Sequence, residues 1–222
     1  MKFVIPLFCL LAVISAGNAS AQTCSNLNLQ WQSDIPAACS TMAVTMAHDA
    51  ALPYLYIAGK EGGLLVYEVS DIANPVFVAN VPDTQFNMLD VMNLSQSGNY
   101  LYLALGNSFT NSQQGGMAIV DVSDPESPVV TDSYIVPNSG SGGGIVEVEG
   151  NYAYLGAMQS GLVILDVSDK NDIQFVSQLT PPITFPPVNN PNPELYNARG
   201  ILVKNSIVYL CYDAGGIRIN SV

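Results

Sequence analysis

The nine residues Gly161–Asp169 read GLVILDVSD, and closely similar stretches occur twice earlier in the 222-residue chain. The stretch that begins at Gly63 reads GLLVYEVSD, and the one that begins at Gly116 reads GMAIVDVSD. Each joins a nearly continuous apolar run to a carboxylate and a short polar tail. A divergent relative, GIRINSV, begins at Gly216. Repetition on this scale predicts an array of similar structural units.

The sequence around these stretches keeps a nearly constant spacing. A Tyr-x-Tyr-like element precedes each one, and its second tyrosine serves as an anchor at Tyr56, Tyr102, Tyr154 and Tyr209. The motif glycine follows the anchor by 7 residues in three units and by 14 in the second unit. In the first three units a new apolar run begins 12 residues after the glycine. Anchor-to-anchor periods of 46, 52 and 55 residues are typical of propellers and related arrays.

Each unit contains four short apolar runs separated by turn residues. In the third unit the runs are Ile145–Val148, Tyr152–Gly156, Leu162–Val167 and Gln174–Leu179. Their length and their content of Val, Ile, Leu and Tyr predict strands. We therefore predict an all-β fold, a β-propeller of four-stranded antiparallel blades. About three and a half to four blades are expected, at residues 42–81, 87–135, 144–179 and, incompletely, 198–222.

The repeated carboxylates are interpreted as structural. One set ends the apolar strand, and a second set begins the following turn, where such side chains bond backbone amides; the two sets are Glu68, Asp121 and Asp166, and Asp71, Asp124 and Asp169. Groups present in every unit are expected to serve the unit, whereas chemistry is expected where the units differ. A calcium or catalytic role is the alternative, although the spacing of an EF-hand is missing.

These runs, each with its Tyr-x-Tyr element, resemble the LVIVD repeat, a β-propeller repeat of exported and surface proteins of bacteria and archaea. The resemblance covers roughly residues 42 to 222. It implies a propeller fold and a secreted or cell-surface location. It implies no defined enzymatic activity, so no catalytic residue is carried over.

The N-terminal residues 1–21 have the features of a signal peptide. Lys2 precedes the apolar stretch Phe3–Ala16, and Ala19-Ser20-Ala21 forms a small-residue cleavage site. A retained anchor is the alternative, but the stretch is short for a membrane span. We expect export to the periplasm, the cell surface or the medium, with a mature chain that does not span a membrane.

The segment 22–41 precedes the repeats and carries two cysteines. In an exported protein Cys24 and Cys39 are expected to form a disulfide. Cys211 takes the place of small residues in the other units and is expected to be buried.

The fourth unit stops before an outer strand. Either the chain is a fragment of a longer propeller, or Leu27–Asp34 supplies the missing strand and closes a ring.

Composition limits the classes of partner and cofactor. Six basic residues against 18 acidic ones give a net charge of −12, which argues against nucleic acids and anionic lipid surfaces as partners.

No cofactor or metal is expected. The glycine-rich stretch at 139–144 lacks the Lys-Ser/Thr ending of a phosphate loop. His48 is the only histidine, so a zinc site or a catalytic triad would lack partners, and a core or turn role is favoured.

Insertions distinguish the repeats from one another. In an up-and-down blade, the turns between the second and third strands share one end with the blade-to-blade connections. All three insertions belong to that end, at 106–115, 137–144 and 180–200. Such a pattern predicts a binding face, with tolerated loops as the alternative. The expected exposed contacts are Phe109, Phe185, Tyr196 and Arg199.

The leading functional hypothesis is an exported, non-enzymatic propeller that binds a protein or a glycan through this end. One alternative is a hydrolase or lyase acting on an extracellular polysaccharide or ester, with Asp90 or Glu194 supplying carboxylates near the axis. Another is a calcium-dependent adhesion module.

Overall fold

The computed structural model describes residues 43–106, 114–137 and 142–222, which contain four antiparallel sheets, numbered here as blades 1 to 4. Strands pair in chain order within each sheet. Blade 1 contains β1 (Thr45–His48), β2 (Tyr54–Ala58), β3 (Leu64–Glu68) and β4 (Val76–Val81). Blade 2 contains β5 (Asp90–Ser97), β6 (Tyr100–Gly106), β7 (Gly115–Asp121) and β8 (Val129–Val136). Blade 3 contains β9 (Ile145–Glu149), β10 (Tyr152–Gly156), β11 (Leu162–Asp166) and β12 (Gln174–Leu179). Blade 4 contains β13 (Gly200–Lys204), β14 (Ile207–Cys211) and β15 (Ile217–Ser221).

The first strands of successive blades are neighbours. β1 contacts β5, β5 contacts β9, and β9 contacts β13, whereas the fourth strand of blades 1 to 3 lies at the far edge of its sheet. β12, for example, is exposed along its whole length. Radially arranged four-stranded antiparallel sheets define a β-propeller, so the predicted fold class is confirmed.

The hydrophobic core lies between the blades. Residues of the third strand alternate between the two interfaces, so that Leu162 and Ile164 pack toward blade 4 while Val163 and Leu165 pack toward blade 2. Burying a large apolar side chain contributes about 1.5–3 kcal/mol, so blades 2 and 3 depend on both neighbouring blades for much of their stability. The nearly continuous apolar run follows from this two-sided packing.

The repeated carboxylates hold the ends of the third strands. Glu68, Asp121 and Asp166 each accept a hydrogen bond of 2.8 Å from the amide two residues later. The second set, Asp71, Asp124 and Asp169, does the same within the following turn, at 2.9–3.2 Å. Hydrogen bonds from Ser168 lower the pKa of Asp166, which keeps the accepting form charged. The predicted hydrogen bonds from these carboxylates to backbone amides are confirmed.

Glycine occupies the first position of the motif for a steric reason. A Cβ atom would lie 2.0 Å from the Val81 carbonyl oxygen at Gly63, 2.1 Å from that of Tyr134 at Gly116, and 2.2 Å from that of Leu179 at Gly161. In each case the obstructing carbonyl belongs to the fourth strand of the same blade. At Gly216 a Cβ atom would meet nothing within 4 Å, because the described part of blade 4 has three strands. The fourth strand therefore excludes a side chain at this position.

The turn between β1 and β2 is longer than its equivalents and is organised by Asp49. Its buried carboxylate accepts hydrogen bonds from the amides of Ala51 (2.8 Å) and Leu52 (2.9 Å). It also accepts from the Tyr56 hydroxyl (2.8 Å) and from the Gln96 side chain (2.9 Å), which belongs to blade 2. The neighbouring His48 is exposed at the end of β1, with its Nδ1 atom 2.7 Å from the Asp49 carbonyl oxygen. His48 is therefore a turn histidine.

Several predictions fall on residues outside the described ranges. They are the signal peptide at 1–21, the disulfide between Cys24 and Cys39, and the closing strand Leu27–Asp34. Cys211 is described, and the expectation that it is buried is wrong. It lies on a face of blade 4 that no other described blade covers. Within the described ranges, no helix has the length and apolar character needed to cross a membrane.

Candidate binding face at the loop end

The turns between second and third strands and the connections between blades lie at one end of the blades, called here the loop end. The bases of two insertions are in contact there. A Cβ atom on Gly115 would lie 2.0 Å from the Cα atom of Gly142, and the Gly143 amide donates a 2.7 Å hydrogen bond to the Leu105 carbonyl oxygen. The loop that begins after Gly106 therefore starts beside the connection into blade 3. Phe109 belongs to this loop and lies outside the described residues.

The third insertion, 180–200, joins the same end through blade 3. The amide of Ala198 donates a 2.9 Å hydrogen bond to the carbonyl oxygen of Met158, in the turn between β10 and β11. That turn is next to the connection from blade 2, because Gly144 bonds to Gly156 at 2.8 Å. The bases of all three insertions thus lie at the loop end, as the repeat pattern predicted.

Phe185 lies on the exposed part of the 180–200 connection. Its ring centre is 5.0 Å from the guanidinium carbon of Arg218, which also donates a 2.7 Å hydrogen bond to the Phe185 carbonyl oxygen. Arg218 further bonds the carbonyl oxygen of Gly215 in blade 4. This arginine ties the connection to blade 4 while leaving the Phe185 ring largely exposed.

Arg199 is exposed beside blade 4. Its Nε atom lies 2.9 Å from a carboxylate oxygen of Asp213, and the same oxygen accepts a 3.1 Å hydrogen bond from the side chain of Asn197. An ion pair in this degree of exposure contributes at most about 1 kcal/mol to stability. The guanidinium group can therefore exchange Asp213 for a partner carboxylate at little cost.

Tyr196 is buried, and the expectation of an exposed contact at this position is wrong. Its ring packs in the core between blades 3 and 4, with its centre 6.0 Å from that of Tyr212. The preceding single-turn 3-10 helix, Pro193–Leu195, is capped by the Asn192 side chain and leaves Leu195 exposed. Tyr196 anchors the connection, and Leu195 occupies the surface in its place.

The two carboxylates considered for acid–base chemistry have different surroundings. Asp90 begins β5 and is buried, with a carboxylate oxygen 4.0 Å from the Lys60 Nζ atom. Burial raises the pKa of Asp90, and the Lys60 charge opposes that rise only in part. Glu194 is exposed in the short helix of the 180–200 connection, where its amide bonds to Asn192.

A cleft of about 510 Å³ lies at the loop end between the connection from blade 1 and the outer strands of blade 2. It is lined by Asn87, Leu89, Gln114, Ile135 and Pro137. Next to it, Asn87 and the exposed Met88 both adopt left-handed backbone conformations, with φ of 57° and 63°. Such a backbone is strained at Met88, because methionine rarely adopts this conformation, whereas Asn87 is the C-cap of the 3-10 helix Asp83–Phe86. Sequence reasoning missed this segment although asparagine favours the left-handed conformation, because methionine does not and the short helix before Asn87 was not predicted.

The family assignment rests on three matched segments. Residues 53–83, 90–136 and 143–180, more than half of the chain, match the family model described as LVIVD repeat. The chain belongs to the LVIVD repeat family. The first LVIVD repeat covers β2 to β4 of blade 1, and the other two cover all four strands of blades 2 and 3. The resemblance inferred from the motif stretches is confirmed. Blade 4 lies beyond the matched segments.

Comparison with solved structures supports the fold. The computationally designed Ika4 protein is similar over 82% of this chain and 92% of its own, with a TM-score of 0.53 and 10% identity. The designed Ika8 protein follows at a TM-score of 0.45 and 10% identity, over 80% of this chain and 57% of its own. The β-1,2-mannobiose phosphorylase from Listeria innocua has a TM-score of 0.41 and 13% identity, over 75% of this chain and 53% of its own. At these identities the likeness to Ika4 shows the fold alone, and the two lower scores add nothing to it. No curated protein matches the chain.

Proposed function

We propose that this chain is an exported, non-enzymatic binding propeller that recognises a protein partner through its loop end. The observation that carries the proposal is the convergence of the bases of the three insertions at that end. The opposite end is made mostly of short turns, several of them fixed by the repeated carboxylates. Repeat proteins commonly combine a constant scaffold with variable loops at one end, and those loops form the binding face.

The exposed side chains of the loop end favour a protein over a glycan. Met88, Phe185, Val188 and Leu195 are large, apolar and exposed there. Methionine, aromatic residues and arginine are enriched at protein interfaces, and Arg199 adds a cation to this set. The net charge of −12 disfavours polyanionic partners.

The 180–200 connection is held in place before any partner arrives. Arg218 fastens it at Phe185, Tyr196 buries its ring in the core, and Ala198 pairs with Met158. A loop that is already ordered loses less conformational entropy on binding, so its exposed side chains contribute more to affinity.

Export is proposed from Lys2, the apolar stretch Phe3–Ala16 and the small residues before Gln22. Fractionation of producing cells tests it directly. The expected result is a periplasmic, surface or culture-medium protein whose N-terminal peptide begins at Gln22. A cytoplasmic protein that retains Met1 contradicts export while leaving the binding proposal open.

The binding proposal is tested by comparing two double variants of matched exposure. Phe185→Ala/Leu195→Ala removes loop-end side chains that are 58% and 57% exposed. Val129→Ala/Phe175→Ala removes side chains of the outer strands that are 59% and 51% exposed. Envelope proteins captured by cross-linking are quantified by mass spectrometry for each variant. We expect the loop-end variant to lose a specific partner at least about tenfold while the control retains it.

Two outcomes contradict the proposal. Equal capture by both variants means that the loop end does not recognise the captured protein. Binding to an array of glycans that only the loop-end variant loses assigns the same face to a carbohydrate instead.

A further inference from the structure

The cleft beside blade 2 has an apolar floor and exposed walls. We call it the loop-end cleft and define it by its lining residues Asn87, Leu89, Gln114, Ile135 and Pro137. Leu89 is 6% exposed and Ile135 is half-buried, so these two form the floor, while the other three residues are exposed. A volume of about 510 Å³ suits a small ligand or a few residues of a peptide rather than a folded domain.

An acidic residue and an exposed apolar residue border the cleft at Asn87. The carbonyl oxygen of Asp83 accepts hydrogen bonds from the amides of Asn87 and Met88, at 3.0 Å in the case of Met88. Asp83 therefore lies within one short turn of the cleft wall. Met88 is 62% exposed, and methionine adapts to apolar partners of different shapes.

Carboxylates outnumber cations around this segment. The Lys60 Nζ atom lies 4.0 Å from the carboxylate of Asp90 and 3.5 Å from that of Glu61. Burial raises the pKa of Asp90, and the Lys60 charge opposes that rise. The charges of Glu61 and Asp83 add to it, so the four groups share one electrostatic field. Three carboxylates against one ammonium group leave the surroundings of the cleft negative, which favours a cationic group in a bound partner.

The walls of the cleft suit an extended backbone. The side-chain amides of Asn87 and Gln114 each donate and accept hydrogen bonds, as the unpaired N–H and C=O groups of an extended peptide require. Ile135 belongs to β8, the outer strand of the blade 2 sheet, and Pro137 follows that strand. An outer strand has an edge to which an extended segment can be added. A helix pairs its own backbone groups and would leave these amides unused.

We propose that the loop-end cleft binds an extended segment of the protein partner, in which an apolar side chain covers Leu89 and Ile135 and a neighbouring lysine or arginine faces the surrounding carboxylates. Burial of the apolar side chain supplies affinity, and the carboxylates of Glu61 and Asp83 select basic segments over acidic ones. The inference rests on the proposed function, because it names the part of the loop end that holds the partner and the chemistry of the segment that is held.

Selection from a phage library of random octapeptides tests the chemistry of the occupant before the partner is identified. The purified chain is the target, and selected peptides are synthesised with a fluorescent label for polarisation measurements. We expect the enriched sequences to place lysine or arginine close to an aliphatic or aromatic residue. We also expect their affinity to fall as the salt concentration rises, because salt screens exposed charges.

A variant that fills the cleft tests the position of the site. Gln114→Arg places a long cationic side chain in the cleft and is expected to weaken binding of the selected peptides at least about tenfold. Gln174→Arg makes the same change at an exposed position of β12, in blade 3, and is expected to bind as wild type does. Circular dichroism verifies that both variants are folded.

A charge-removing variant tests the selection of basic segments. Glu61→Gln/Asp83→Asn is expected to weaken binding at least about fivefold at low salt and to reduce its salt dependence. The control Asp172→Asn/Glu194→Gln also removes one aspartate and one glutamate, at exposed positions that do not line the cleft, and is expected to have little effect.

Four outcomes overturn the proposal. The first is a library that yields no peptide, and the second is an enriched sequence that is acidic or uncharged. The third is a selected peptide that binds Gln114→Arg as tightly as wild type. The fourth is a dimer of the chain that Gln114→Arg separates, which assigns the cleft to a second copy.

Failure of this inference is distinguishable from failure of the proposed function. A captured envelope protein that Phe185→Ala/Leu195→Ala loses and Gln114→Arg retains leaves the loop end as the binding face and excludes the cleft as the part that holds the partner. A protein that both variants lose, and that Gln174→Arg retains, supports the two together.

Discussion

The hydroxyl group of Tyr56 donates a 2.8 Å hydrogen bond to the carboxylate of Asp49, and both residues are buried. Tyr56 is the anchor tyrosine of the first repeat. The turn that Asp49 organises spans five residues between β1 and β2, whereas Gly98-Asn99 and Gly150-Asn151 make two-residue turns in blades 2 and 3. The extra hydrogen bonds compensate for a longer turn and join it to blade 2 through Gln96.

Replacing Asp49 by Ala is expected to lower the free energy of unfolding by roughly 2–4 kcal/mol, because four donors lose their acceptor and two of them are backbone amides. Tyr56→Phe removes one of these bonds and keeps the ring, so a loss of about 1 kcal/mol is expected. Urea unfolding followed by circular dichroism measures both. Equal losses for the two variants would contradict the assignment of Asp49 as the centre of the network.

The same network predicts a pH dependence. Burial alone would raise the pKa of Asp49, but the hydrogen bonds from Ala51, Leu52, Tyr56 and Gln96 hold it below its ordinary value. The stability it contributes is complete above the unfolded pKa, about 3.9, and is lost as pH falls through the lower folded pKa. Asp49→Asn is therefore expected to be less stable than wild type at pH 7 and to lose less on acidification. Parallel acid-unfolding curves for the two proteins would contradict this.

The contribution of Asp90 to stability is expected to change with pH in the direction opposite to that of Asp49. Burial raises its pKa, with the Lys60 charge opposing, so the folded chain binds a proton more tightly than the unfolded chain does. The ionised carboxylate therefore opposes folding at neutral pH, and its contribution becomes more favourable as pH falls through the raised folded pKa. Asp90→Asn is expected to raise Tm at pH 7, with the gain shrinking toward pH 4. A lower Tm at pH 7 would mean that the pair with Lys60 outweighs burial.

The motif glycines allow a matched comparison. Gly161 and Gly216 have similar positive φ values of 81° and 71°, but only at Gly161 would a Cβ atom collide with a fourth strand. Gly161→Ala is expected to destabilise the protein by at least about 4 kcal/mol or to prevent folding, since the obstruction is backbone. Gly216→Ala is expected to cost about 1–3 kcal/mol from backbone strain alone. Gly150→Ala, in an open left-handed turn, is the mild control at about 1 kcal/mol. Equal effects at Gly161 and Gly216 would rule out the steric explanation.

The repeated carboxylates make a further prediction. Asp121→Ala and Asp166→Ala each remove the acceptor of an exposed amide, so each is expected to lower Tm only slightly. The two sites lie in different blades and share no partner, so the losses in Tm are expected to add in the double variant. Thermal and urea unfolding of the four proteins checks this. A much larger loss in either single variant would indicate a bound cation.

The strands and the carboxylates could be predicted because their causes are local and repeated. Alternating burial on both sides of a strand produces the apolar run at Leu162–Asp166, and a side chain that bonds an amide two residues later depends on little else. The bulge between the third and fourth strands was not predicted. It recurs at the same place in blades 1 to 3, where Val78, Thr131 and Val176 are the extra residues. All three are β-branched, but β-branched residues are common throughout strands, so the residue type does not mark the bulge.

The errors at the candidate face have a different origin. Tyr196 was expected on the surface because it lies in a long polar and proline-rich segment, yet its ring contacts Tyr212 in the core. Cys211 was expected in the core because its equivalents are small, yet its face is uncovered. Both outcomes depend on which distant parts of the chain meet, and the residues themselves carry no such information.

The register between β6 and β7 is undisturbed by the insertion that separates them, since Ala104 pairs with Met117 just as Gly156 pairs with Leu162 in the shorter hairpin of blade 3. The pairing of the two strands therefore does not depend on the length of the segment that joins them. Peptides of other sequences and lengths are therefore expected to be accommodated between Gly106 and Gly115 without a change in the pairing of β6 with β7.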